Sequence, residues 1–178
     1  NHAGTTPMEV RQDALLMAAP FILAGREVAL AHHIVGTIGT LQIQPGAPNV
    51  IPGQVELGLE IRALDERVLD AAEKALVGRA EENEGQLRPV SSKAPVASDP
   101  RLVEAIIAAC EELKLPFLRM PSGAGHDAMC IEAIAPQAML FVPSRGGVSH
   151  SPDEYPAPEY SVSGARVLFA NLLKLDTL

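Results

Sequence analysis

Residues 54–64, QVELGLEIRAL, alternate apolar and polar positions almost without fault. Val55, Leu57, Leu59, Ile61 and Ala63 point one way, and Gln54, Glu56, Gly58, Glu60 and Arg62 the other. Successive side chains of a strand lie on opposite faces, so this stretch predicts a half-buried strand of an antiparallel sheet. A strand of that kind needs an apolar cover, and the following DERVLDAAEKALVGRAEENEG supplies one. It predicts a helix capped by Asp65 and stopped at Gly85, with Val68, Leu69, Ala72, Leu76 and Val77 as its stripe.

The segments around this pair extend the pattern. TTPMEVRQDALLMAA predicts a helix opened by Thr5 or Thr6 and Pro7 and broken at Pro20. HIVGTIGTLQIQ has strand composition and leads into the turn-rich PGAPNVIPG. QLRPVSSKAPV predicts a third strand, at an edge because of Pro89. The order α-β-β-α-β lacks only a leading strand to make a ferredoxin-like α+β unit.

After residue 95 the character changes. Asp99 and Pro100 open a helix with Leu102, Val103, Ile106, Ile107, Cys110 and Leu113 on one face. LPFLRMP predicts a short strand, GHDAMCIEAIA a helix, and QAMLFVP a strand buried on both faces. A last amphipathic helix uses Val162, Val167, Leu168, Leu172 and Leu173. This is an α/β pattern. Two domains follow, 1–95 and 96–178.

With 47% hydrophobic residues but only 3% aromatics and no Trp, the core must be aliphatic. The net charge of −8 argues against nucleic acid and anionic membrane surfaces as partners. No apolar run approaches the roughly 20 residues that span a bilayer, and no signal peptide is visible. Cys110 and Cys130 form no C-x-x-C and read as buried free thiols, which points to a reducing, cytoplasmic compartment.

Three loops carry the candidate chemistry. In MPSGAGHDAM, Ser122, His126 and Asp127 sit on a glycine-lined strand-to-helix turn where Gly123 and Gly125 let backbone approach a ligand. Helix-start amides there would favour an anion; the plainer reading is a turn with Asp127 as cap. PSRGGVSHSPDE places His150 after the next strand, so His126 and His150 would share a rim, as metal ligands or as surface histidines. NHAGTTPM puts His2 just before a helix. Taken alone, Asn49 is a turn residue, Arg62 a surface arginine able to pair with Glu56 or Glu60, and His32 and His33 structural.

NHAGTTPM, PNVIPG, EIRALD, SGAGHDAM and SRGGVSHSPDE, in that order and at about this spacing, resemble the M20-type metal-dependent amidohydrolases. GAGHDA and SHSP point to the branch of N-carbamoyl-L-amino acid hydrolases, allantoate amidohydrolases and β-ureidopropionases. The resemblance covers essentially the whole chain. It implies that residues 1–95 are an inserted lid and dimerisation domain minus its first strand, and 96–178 the C-terminal part of an α/β metallopeptidase-like catalytic domain. It further implies that the general-base glutamate and most ligands for two divalent ions, zinc or manganese, belong to an N-terminal half that this chain lacks.

Residue by residue, the resemblance makes His150 the last metal ligand. His2 becomes the lid histidine that reaches into the partner subunit's site and polarises the scissile carbonyl. Asn49 and Arg62 become binders of the substrate and its carboxylate, and Gly125 and His126 substrate contacts. The expected partners are a small carbamoyl or ureido substrate and a second copy of the chain. The rival expectations are a non-catalytic dimerisation and substrate-binding module, or an aminoacylase or peptidase of the same superfamily. The GAGHDA histidine argues against the latter.

Overall fold

The computed structural model describes residues 1–175; the last three positions of the expected second domain lie outside them. The chain divides into two compact units, Asn1–Pro95 and a second beginning at Val96.

In the first unit, β1 (Val35–Gln44) and β2 (Gln54–Arg62) form an antiparallel pair, with Val35 opposite Arg62 and Gln44 opposite Gln54. The alternation predicted for β2 is what the structure has: Val55, Leu57, Leu59 and Ile61 are half-buried and their neighbours exposed. A register irregularity lies between Ile38 and Thr40. It falls at a glycine, Gly39, as bulges often do. Helices α1 (Ala14–Ala31) and α2 (Glu66–Glu82) pack on each other, and α1 packs on both strands. Phe21 and Val28 of α1 meet Ala72, Leu76 and Ala80 of α2, with Leu57, Leu59 and Ile61 closing the cluster.

Leu76 is only 1% exposed at the centre of this cluster. Leu76→Ala should therefore cost about 2–5 kcal/mol, read as a lower urea midpoint at unchanged slope.

The first helix departs from expectation at both ends and in the middle. Residues 8–10 form only a 3₁₀ turn, and α1 starts at Ala14, where Asp13 accepts the N–H groups of Leu15 and Leu16. Pro20 does not break it. The proline sits on the exposed side, and the residues after it, Phe21, Ala24, Gly25, Val28 and Ala29, are buried. Burial of that face outweighs the backbone hydrogen bond the proline removes. By length and composition α1 could cross a bilayer, contrary to the reading of short apolar runs. It lies instead on the sheet, leaving Leu16, Leu23 and Leu30 exposed.

Asp65 caps α2 as expected, accepting the Arg67 N–H at 2.9 Å. The hydrogen bonds from Arg67 hold its carboxyl below the usual range. The stop is not Gly85. Glu84 takes the left-handed conformation at φ 56°, and the Gly85 N–H closes on the Ala80 carbonyl at 2.8 Å. Residues 86–95 join no ladder among the described residues. Leu87 packs against the first core, but Pro89 and Pro95 remove donors and Val90 is fully exposed, so the segment is anchored at one residue and pairs with neither strand.

In the second unit, α3 (Pro100–Glu112) packs on α5 (Pro158–Leu175) around Ala109, Cys110 and Val167. Asp99 caps α3 through the Arg101 N–H at 2.8 Å, and hydrogen bonding from the Arg101 side chain holds its carboxyl down at about 2. Of the stripe expected on α5, only Val167 is buried; Val162, Leu168, Leu172 and Leu173 are exposed, and Asn171 is buried instead. Residues 115–121 and 137–143, expected as strands, form no ladder among the described residues. A strand buried on both faces needs a neighbour to pair with and cover on each side, and here Phe141 remains 55% exposed. Of the two free thiols, Cys110 is buried, which pushes its pKa up, whereas Cys130 is exposed, against expectation.

Candidate functional site

His2 and Asn49 come together at the turn end of the hairpin. Residue 2 bridges Val50 in antiparallel fashion, the Ala3 N–H donates to the Asn49 carbonyl at 2.9 Å, and the Ile51 N–H donates to the Asn1 carbonyl at 2.9 Å. Ile51 is buried there, and the Pro52 carbonyl receives the Ala14 N–H at the start of α1. The apolar anchor and the strand-like pairing thus fasten the His2 segment to the loop before β2.

The His2 ring is held by its own chain. The Gly4 N–H donates to His2 Nδ1 at 3.0 Å. A neutral imidazole carries one donor and one acceptor nitrogen, so an accepting Nδ1 leaves the proton on Nε2. His126 is held the same way, its Nδ1 accepting the Ala128 N–H at 3.0 Å. With Nδ1 so occupied, the neutral form of either ring would carry its proton on Nε2, a donor suited to a carbonyl oxygen or carboxylate and not, in that state, to a metal ion.

Arg62 occupies the other end of the hairpin. From Gln54 to Arg62 the strand runs roughly 26 Å at about 3.3 Å per residue. One chain therefore does not bring Arg62 to His2 and Asn49. The Arg62 guanidinium takes Glu60 Oε1 at 3.0 Å from Nε and 2.7 Å from Nη2, the pairing that the bare strand pattern allows. Both residues are well exposed.

In the second unit the loop carrying His150 closes on itself. The Arg145 N–H donates to the Tyr155 carbonyl at 2.9 Å, the Tyr155 N–H to Ser144 Oγ at 3.3 Å, and the Arg145 guanidinium lies 4.8 Å from the Tyr155 ring centroid. Gly146 and Gly147 make the bend with φ of 64° and 70°. His150 is itself left-handed, at φ 55°, and its N–H donates to Glu154 Oε2 at 2.9 Å. Glu154 thus supports a conformation that a histidine rarely adopts. The sequence reading missed this role of Glu154, and missed Gly4. The only available signals were a carboxylate four residues after the histidine and a glycine two residues after the other.

The 122–131 loop differs from expectation in two ways. Asp127 does not cap the helix; at φ −59° and ψ −26° it is already helical, and His126 takes the amide instead. That helix, α4 (Ala128–Ile131), is one turn long, too short for a helix-start anion site. Gly125 is exposed, and a Cβ there would meet nothing within 4 Å.

No three His, Cys, Asp or Glu residues among those described are grouped to hold a metal ion. A catalytic zinc wants about three protein ligands, so the residues present do not fit a metal by themselves. His150, exposed on its closed loop, offers one.

The backbone geometry places the chain in the amidohydrolase fold. It superposes on the crystal structure of an amidase of the hydantoinase/carbamoylase family from Burkholderia vietnamiensis with a TM-score of 0.87 and 34% identity, covering 98% of this chain and 44% of that one. Residues 9–174 match peptidase family M20/M25/M40, and the chain belongs to that family, whose amidohydrolases are generally metal-dependent. Among named relatives it is 39% identical over 181 residues to an N-carbamoyl-L-amino acid amidohydrolase of Geobacillus stearothermophilus, covering 98% of this chain and 44% of that protein. It is equally 39% identical, over 184 residues, to the allantoate amidohydrolase of Bacillus subtilis, again covering 98% and 44%. The chain spans less than half the length of these relatives.

Proposed function

We propose that this chain is the lid and dimerisation segment, followed by the C-terminal part of the catalytic domain, of a cytoplasmic metal-dependent amidohydrolase. The enzyme hydrolyses the carbamoyl or ureido C–N bond of N-carbamoyl amino acids or allantoate. The observation that carries the reading is the Gly4 N–H held at 3.0 Å on His2 Nδ1, which turns Nε2 into the ring's donor on a loop fastened beside Asn49. Donors aimed at developing oxyanion charge are a large catalytic term. His2 Nε2–H would donate to the scissile carbonyl oxygen as it gains charge, and Asn49 would fix the substrate beside it. The planar fork of Arg62 would take the substrate carboxylate in place of Glu60. Gly125 leaves open space beside His126, whose Nε2–H is a second donor. His150 would be one ligand of a metal site completed by residues outside this chain.

The strand's length between Arg62 and His2 supports a dimer. A small ureido acid cannot bridge it, so His2 and Asn49 would serve one site and Arg62 another, with a second copy reuniting them across a twofold axis. The exposed Leu16, Leu23 and Leu30 of α1 and the outer edges of the sheet, two-stranded among the described residues, give the first unit surface for such pairing. Light scattering should give a dimeric mass at all practical concentrations, and a monomer at high concentration would refute it.

The rival, a non-catalytic module, draws on the lack of a three-residue metal cluster among the described residues. One experiment separates the two. The full-length protein, loaded with zinc or manganese, should release ammonia from an N-carbamoyl amino acid or allantoate. The 178-residue chain alone should bind zinc weakly and release none. Turnover by the chain alone, or none by the full-length protein on any of these substrates, would sink the proposal.

A further inference from the structure

Within that reading of His2, the chain fixes more than the ring's place. The His2 backbone is held from several sides. Its carbonyl accepts the Thr5 N–H at 3.3 Å and the Thr6 hydroxyl at 3.0 Å. The next residue is tied to Asn49, and the Arg11 guanidinium donates to the Thr6 carbonyl at 3.0 Å and to the Ala3 carbonyl. What these contacts leave open is the rotation of the imidazole and the nitrogen that carries its proton.

Gly4 settles both. Its N–H points into the Nδ1 lone pair at 3.0 Å. A Cβ built on Gly4 would stand 3.2 Å from His2 Cε1 and 3.4 Å from Nδ1, closer than ordinary van der Waals contact for the first. The amide alone does not require glycine: at His126 the same bond, at the same 3.0 Å, comes from an alanine, Ala128. What favours it at position 4 is the ring lying over the place a side chain would begin, so that an added Cβ would push the ring aside by a few tenths of an ångström.

We propose that Gly4 is a positioning residue for His2: its amide holds the imidazole as the Nε2–H tautomer, and its missing side chain leaves the ring the room to stand in the donating orientation. The proposal rests on the oxyanion role given to His2 above, but the tautomer can be read without it.

The experiment uses the full-length protein labelled with 15N at histidine, its His2 signals assigned by their loss in His2→Ala. Long-range 1H–15N spectra near neutral pH should show His2 with a bare, hydrogen-bonded Nδ1 and a protonated Nε2. In Gly4→Ala the Nδ1 signal should move toward that of a free, tautomer-averaged imidazole. The kcat should fall by about tenfold to a hundredfold, the cost of a misplaced catalytic group, with KM near the parent's and the melting temperature kept. A parent His2 protonated on Nδ1 overturns the proposal, and that spectrum decides even if Gly4→Ala does not fold. A folded Gly4→Ala with the parent's spectrum and kcat also overturns it. If the parent has the expected tautomer but hydrolyses none of the ureido substrates, the proposed function fails and the tautomer lock stands.

Discussion

Replacing His2 by alanine in the full-length protein should lower kcat by about 10²–10³-fold, the usual loss for one oxyanion donor. Stability should barely change, because His2 is exposed and the hydrogen bond on its ring comes from Gly4, two residues on. KM should stay near the parent's, since the donated hydrogen bond strengthens only as the carbonyl oxygen gains charge. The proposed dimer adds a sharper check. If His2 acts in the partner's site and Arg62 in its own, each inactive variant lacks a different part. Mixing His2→Ala with an Arg62 variant then restores one complete site in each heterodimer and recovers activity that neither homodimer has. No recovery on subunit exchange would show that the two residues serve the same chain's site, against the separation that β2 imposes.

Arg62→Lys should lower kcat/KM for N-carbamoyl amino acids by about ten- to hundredfold. Losing the bidentate, charge-assisted contact removes about 1.5–3 kcal/mol, and each 1.36 kcal/mol is roughly tenfold. The melting temperature should hold, because Arg62 lies on the exposed face of β2 and its pair with Glu60 is a surface one. The structure adds a competitor. Glu60 Oε1 occupies both Nε and Nη2 of Arg62, the edge a substrate carboxylate would take. Glu60→Gln should therefore lower KM severalfold while leaving kcat near the parent's, an effect absent when Arg62 is already lysine. An Arg62→Lys enzyme as active as the parent would remove the carboxylate role and leave Arg62 as a surface residue paired with Glu60.

Much of the first unit could be read from the chain because its signals are local. The two-residue period of 54–62 fixed which side chains face the core, and Asp65 and Asp99 capped their helices because an aspartate before a helical run can reach an amide two residues on. Where local signals competed with burial, burial decided. Pro20 stays within α1 because the helix's apolar face is packed, and Val90 stays out of the sheet because nothing packs on it. The strands expected at 115–121 and 137–143 carry the right composition, but a ladder belongs to a pair of segments and not to one.

The candidate residues divide in the same way. Their types and order belong to the sequence: His2, Asn49, Arg62, Gly125, His126 and His150 could each be named from motifs. Their states and groupings could not. The protonated nitrogen of His2 and of His126 depends on side-chain torsions that aim Nδ1 at an amide two residues away. The left-handed His150 depends on a glutamate four residues on and a loop closed by Arg145 and Tyr155. That His2 and Asn49 share one end of a hairpin while Arg62 stands at the other depends on strand pairing and on Ile51 being buried beneath the loop. The sequence by itself determined which groups the protein has and the period of the elements that carry them. Only the tertiary structure decided which groups meet, because a hydrogen bond or an active site is a relation between segments, set by packing that no single segment contains.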